Sequence, residues 1–129
     1  MKAKFFERDY DLAFDVCKLL DENKTENIQL LDISAVTNIA DYFIIGTANS
    51  TVHNKALVDK IEEMAEKQGV RVIRRDGVSD GRWMVLDYGV LIVHLFTPEL
   101  REFYNLEKIW NNGKNCLGIN EILKLKKED

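Results

Sequence analysis

The sequence predicts one α/β domain: a mixed sheet of about five strands flanked by helices. Three observations point there. Apolar residues switch between helical and strand spacing in the order α-β-β-α-β-β-β-α. The stretch 90–95 is almost unbroken apolar sequence, as in a strand covered on both faces and central to its sheet. The length of 129 residues suits a single domain, and it suffices to bury a core without disulfides or metal.

Each element has its own signal. Leu12, Ala13, Val16, Leu19 and Leu20 recur at helical spacing and predict an amphipathic helix over 9–22. A polar turn, 22–27, leads to a short strand at 28–33. A second strand, 42–47, is rich in aromatic and β-branched residues. Asn49 or Ser50 supplies an N-cap for a helix starting at Thr51. Its apolar stripe of Val52, Leu57, Ile61, Met64 and Ala65 runs to Gly69, a natural terminator. A third strand follows at 70–74, so this β-α-β unit predicts a right-handed parallel crossover. Asp76-Gly77 and Asp80-Gly81 bracket a mobile-looking loop.

Strands 83–87 and 90–96 then form an antiparallel hairpin. With Tyr88-Gly89 as a two-residue loop, Asp87 pairs with Val90, and Trp83 lies opposite His94 with Val85 and Ile92 on the same face. Pro98 opens a last helical stretch carrying Leu100, Phe103, Tyr104, Leu106, Ile109 and Trp110. Residues 111–118 read as a break before a short tail helix ending in Lys124, Lys126 and Lys127.

Composition narrows the function. The net charge of −4 argues against a protein that coats nucleic acid. Residues 1–66 hold 13 acidic and 7 basic side chains, whereas 67–129 hold 9 and 11, so an acidic side is available to a basic partner. No apolar run approaches the roughly 18 residues of a membrane span. The chain reaches Glu7, Asp9 and Asp11 before any long apolar stretch, which argues against a secretory or organellar leader. Cys17 and Cys116 have no CxxC spacing and read as reduced thiols, so the expected location is the cytoplasm.

Enzymatic constellations are thin. No GxSxG elbow accompanies His53 or His94, and a lone His inside an apolar strand is most often a satisfied core residue. There is no HExxH, HxH or paired CxxC, and no cofactor or metal is expected. Asp32, Asp41 and Asp87 end or flank strands, where they can converge on Mg²⁺ or simply cap turns; the second fits their spacing better. Gly46 to Ser50 joins a strand to a helix but matches neither phosphate-loop pattern. Arg71, Arg74, Arg75 and Arg82 surround the third strand without interleaved aromatics, which fits a charged edge strand better than RNA contact.

A binding surface remains. Trp83 at a strand entry is either core or an interface anchor. Tyr88, at a tight turn, leans towards the surface. With Asp76, Asp80 and Asp87 these aromatics form a patch suited to a basic protein partner.

Three ordered motifs carry a resemblance. Asp41-Tyr42-Phe43-Ile44-Ile45-Gly46-Thr47-Ala48-Asn49-Ser50 is the first, and Arg82-Trp83-Met84-Val85-Leu86-Asp87-Tyr88-Gly89 the second. The third joins Val93-His94-Leu95-Phe96 to Arg101-Glu102-Phe103-Tyr104-Asn105-Leu106-Glu107-Lys108-Ile109-Trp110. Together they resemble the ribosomal silencing factor family, RsfS or Iojap, from about residue 8 to 110. The resemblance implies a domain over 1–110, with 111–129 as a C-terminal extension. It implies a nucleotidyltransferase-like fold without catalytic residues, and no enzymatic activity.

The implied role is translational repression. Family members bind a basic ribosomal protein on the intersubunit face of the large ribosomal subunit, block subunit joining and reduce translation under nutrient limitation. Free members often form homodimers. Carried over to this chain, the implied contact residues are Trp83, Asp87, Tyr88 and Gly89, with Asp76 and Gly77 in the adjacent loop; His94, Arg101, Tyr104 and Trp110 read as architecture. Val90 stands where the family usually has an aspartate, which removes one acidic contact. The alternative is a Mg²⁺-dependent nucleotidyltransferase-like enzyme using Asp32, Asp41 or Asp87.

Overall fold

A computed structural model describes residues 8–77 and 80–127. Among these residues, five helices and six strands follow in the order α1 (Arg8–Glu22), β1 (Glu26–Asp32), β2 (Tyr42–Thr47), α2 (Thr51–Lys67), β3 (Arg74–Asp76), β4 (Trp83–Asp87), β5 (Leu91–Phe96), α3 (Pro98–Tyr104), α4 (Leu106–Trp110), β6 (Cys116–Gly118) and α5 (Ile119–Lys127). They form one mixed sheet in the order β3-β4-β5-β2-β1-β6. Only the β2–β5 neighbours are parallel; every other adjacent pair is antiparallel.

The central pair follows from burial. All six residues of β2 and all six of β5 are buried, as strands covered on both faces must be. Side chains alternate between the faces. Leu30, Ile44, Leu86, Leu91, Val93 and Leu95 join Leu12, Val16, Leu20, Leu57, Ile61 and Ile122 in a core beneath α1, α2 and α5. Leu31, Phe43, Ile45, Ile92 and Phe96 point the other way into a smaller core, against which the partly buried Trp83, Leu100, Leu106 and Trp110 pack.

Several expectations need correction. The third strand is Arg74–Asp76 rather than 70–74, because Val70 is committed to closing α2: its N–H donates to the Ala65 carbonyl past Gly69 at φ 81°. β3 runs parallel to β2, as the crossover requires, but β4 and β5 lie between them. The hairpin register also slips by two residues. Asp87 pairs with Ile92, and Trp83 with Phe96 instead of His94. The cause is Val90, whose carbonyl accepts from Asp41 N and Tyr42 N at the entry to β2, while Tyr88 N closes the turn onto Leu91 O. An even slip preserves the faces, so Trp83, Val85, Ile92 and His94 still share one side.

The last helical stretch is two helices. Asn105 sits at φ 47° and ψ 53°, left-handed geometry that Asn tolerates better than most residues. The sheet has six strands, not five, because Cys116–Gly118 pairs along β1 within the segment 111–129 expected as an extension. Ile122 of that segment is fully buried in the larger core. Ser50, one of the two expected caps, does cap α2: its side chain accepts from His53 N at 3.0 Å.

A candidate docking face beside Trp83

The face of the smaller core, whose covering side chains are partly exposed, is the place to build a site. Trp83 enters β4 from the loop that contains Gly77 and Gly81; positions 78 and 79 of that mobile-looking loop lie outside the described residues. Gly77 adopts φ +84°, and a side chain there would collide with the Trp83 carbonyl, so the loop lies directly on the strand. Asn54, wholly buried in α2, holds the loop's other end by donating to Gly81 O at 2.9 Å and Leu95 O at 3.0 Å.

Trp83 is half-buried, so it is neither pure core nor a free surface ring. It stacks on Phe96 with ring centroids 4.9 Å apart, meets Tyr104 of α3 at 4.7 Å, and donates its Nε1–H to His94 Nδ1 at 3.3 Å. His94 is only 8% exposed and packs edge-on to Phe43. Burial pushes its pKa down to about 4, so the ring is neutral near pH 7. With Nδ1 accepting from Trp83, the proton belongs on Nε2, which has no hydrogen-bond partner. The expectation of a satisfied core histidine therefore holds for one ring nitrogen only.

Acidic residues border this face. Asp87 pairs with Arg74 across β3–β4, and Asp76 with Val85, so both aspartates lie on the Trp83 side. Asp76 is exposed and bonded to Arg74 at 3.2 Å; Asp80 holds Arg82 at 3.0 Å. Such exposed pairs contribute little to stability. Asp87 Oδ1 accepts from Gly89 N at 2.8 Å and so shapes the turn at φ +90°. Arg75 points to the other face and pairs with Glu62 of α2, which leaves β3 a charged edge strand.

Tyr88 departs from expectation. It is 7% exposed and belongs to the core under α2, on the sheet face opposite Trp83. Strand alternation carries its ring inward, and the turn leaves it beside α2. Burial first, then the carboxylates of Glu62 and Glu66, push its pKa up to about 12. The structure thus brings Asp76, Trp83 and Asp87 together, uses Gly77 and Gly89 as turn residues, and removes the Tyr88 ring from the group.

Arg101, architecture by the resemblance, is buried within the α3–α4 pair. It is 6% exposed and donates from one guanidinium nitrogen to Asn27 O and Thr47 Oγ1, both at 2.8 Å, while Glu107 lies 2.9 Å away as its counter-ion. This ties α3 and α4 to the ends of β1 and β2.

Asp32, Asp41 and Asp87 reach the same end of the sheet, but Asp32 Oδ1 accepts from Ser34 N at 3.0 Å and Ser34 Oγ at 2.7 Å, and Asp87 shapes its own turn. Among the described residues no three His, Cys, Asp or Glu side chains are grouped to hold a metal, and no helix is long and apolar enough to cross a membrane.

One sheet face packs under three helices, and the smaller core on the other is topped by half-buried Trp83 and bordered by acidic side chains. The chain belongs to the ribosomal silencing factor family: the family model described as "Ribosomal silencing factor during starvation" matches residues 7–129. It is 35% identical to a ribosomal silencing factor of Bacillus subtilis, over 72% of this chain and 79% of that protein. It is 34% identical to the chloroplastic protein Iojap of Zea mays, over 78% of this chain and 44% of that longer protein. A Mus musculus relative, "Mitochondrial assembly of ribosomal large subunit protein 1", is 32% identical over 78% of this chain and 45% of its own length. Among solved structures, a Chromobacterium violaceum protein superposes with a TM-score of 0.77 at 27% identity, covering 81% of this chain and 88% of that one. A Bacillus halodurans protein superposes with a TM-score of 0.71 at 30% identity, covering 78% and 94%.

Proposed function

We propose that this chain is a cytoplasmic translational repressor. It binds a basic ribosomal protein on the intersubunit face of the large ribosomal subunit and sterically blocks joining of the small subunit. The observation that carries this reading is the silencing-factor match over residues 7–129, nearly the whole chain. The mouse relative's name adds the large subunit to the reading.

The contact is assigned to Trp83 as apolar anchor, with Asp76 and Asp87 facing basic side chains, and Gly77 and Gly89 setting the backbone around them. Tyr88 supports the hairpin from beneath rather than touching the partner. A half-buried Trp among acids suits this task, since interface anchors are commonly aromatic and electrostatic complementarity sets specificity and encounter rate. We read the fold as nucleotidyltransferase-like without catalytic carboxylates, because Asp32 and Asp87 are engaged by local turn hydrogen bonds. The free protein is expected to form a homodimer.

Sedimentation with isolated large subunits tests the reading, followed by an assay of subunit joining. Binding at micromolar protein with inhibition of joining supports it. Saturable nucleotide binding or turnover with Mg²⁺, without ribosome binding, would favour the enzyme alternative.

A further inference from the structure

The aromatic cluster that starts inside the sheet does not stop at Trp83. His94 packs on Phe43 at 4.7 Å, Trp83 on Tyr104 at 4.7 Å, and Tyr104 on Phe103 at 4.9 Å. Exposure rises along the series: Trp83 is half-buried, Tyr104 is 45% exposed and Phe103 is 76% exposed. Nothing in the sheet requires Phe103. Leu100 and Leu106 pack against the smaller core, and Arg101 locks the helix pair, whereas Phe103 stands on the outer side of α3.

The exposed charged side chains beside it on α3 have one sign. Glu99 precedes Phe103 by four residues and so shares its side of the helix; Glu102 adjoins it in sequence, and both are exposed. The one arginine of α3 is buried and held by Glu107. An apolar ring bordered by carboxylates complements a surface that is apolar at its centre and cationic at its rim.

We propose that the outer side of α3, with Phe103 as anchor and Glu99 and Glu102 as its acidic border, is a second half of the docking surface for the same basic protein partner. This rests on the proposed ribosome-binding reading and extends it from the hairpin to residues outside the hairpin patch. Phe103 fills an apolar hollow on the partner, Tyr104 bridges it to Trp83, and the two glutamates meet lysine or arginine side chains.

Phe103→Ala and the charge reversal Glu99→Lys/Glu102→Lys test it, because these exposed side chains can change without disturbing the core. Each full-length variant is compared with wild type for melting temperature, sedimentation velocity and affinity for isolated large subunits at two salt concentrations. The expected result is an unchanged melting temperature, at least about tenfold weaker binding for Phe103→Ala, and weaker binding with a flatter salt dependence for the charge reversal. Wild-type binding with unchanged affinity of both variants overturns this surface and leaves the ribosome-binding reading standing. Failure of wild type to bind overturns both. A loss of self-association in Phe103→Ala, with subunit affinity intact, assigns the patch to a second copy and overturns the partner named here.

Discussion

Mild acid should weaken this domain through His94. The imidazole is buried against Phe43, Phe96 and Trp83, and its pKa lies near 4 against an ordinary 6.5. The folded state therefore binds the proton more weakly than the unfolded chain. A base with a depressed folded pKa contributes stability that is fully present above the unfolded value and lost as the pH falls towards the folded one. Each pKa unit is worth about 1.4 kcal/mol, so the loss reaches about 2 kcal/mol at pH 5 and about 3 kcal/mol at pH 4. The pH 5 figure is the useful one, since most carboxylates titrate lower. For a domain of this size it corresponds to roughly 6–10 °C in Tm.

The assay is urea unfolding at pH 7 and pH 5 for wild type and His94→Asn, followed by Trp emission. Asn keeps an acceptor near the position of Nδ1 for the Trp83 N–H but does not titrate. Wild type should lose about 2 kcal/mol more than the variant between the two pH values. Equal losses would refute the reasoning.

Three further substitutions probe the scaffold. Gly77→Ala should cost at least about 2 kcal/mol and shift Trp emission, because the residue needs φ +84° and its new side chain meets the Trp83 carbonyl; denaturant unfolding checks it. Arg101→Leu should cost about 3–5 kcal/mol by leaving Glu107 without its counter-ion and Thr47 without a donor, read as a lower thermal midpoint. Tyr88→Phe should leave stability unchanged or raise it by up to about 1 kcal/mol, since the buried hydroxyl has no partner, and large-subunit affinity should not move.

Much of the fold is local and therefore legible. The apolar run of β5 and the Gly69 terminator each act within a few residues and lie where their patterns put them; the α2 stripe holds at Leu57, Ile61 and Ala65, whereas Val52 in the first turn is 77% exposed and Asn54 and Val58 take the buried face. What escaped depends on distant partners. β6 is three residues long with a Gly at its end, and only the open edge of β1 makes it a strand. The hairpin register turns on the Val90 carbonyl, claimed by Asp41 and Tyr42 from nearly fifty residues earlier in the chain (Asp41 N donates at 2.8 Å).

The site was legible in part for the same reason. Trp83, Asp76 and Asp87 share a face because strand alternation fixes it. Tyr88 looked exposed because turn tips usually are, but here α2 covers the turn. Spacing alone places Phe103 in the apolar stripe of one continuous helix. The left-handed Asn105 ends that helix at Tyr104, and Phe103 stays outside.

The central claim is that the Trp83 face holds the large ribosomal subunit. Its most direct test is the affinity of wild type and Trp83→Ala for isolated large subunits, measured by sedimentation at a temperature where circular dichroism finds both folded. The account predicts micromolar or tighter binding by wild type and at least about tenfold weaker binding by the variant. Equal affinity of the two folded proteins, or no binding by either, would contradict it.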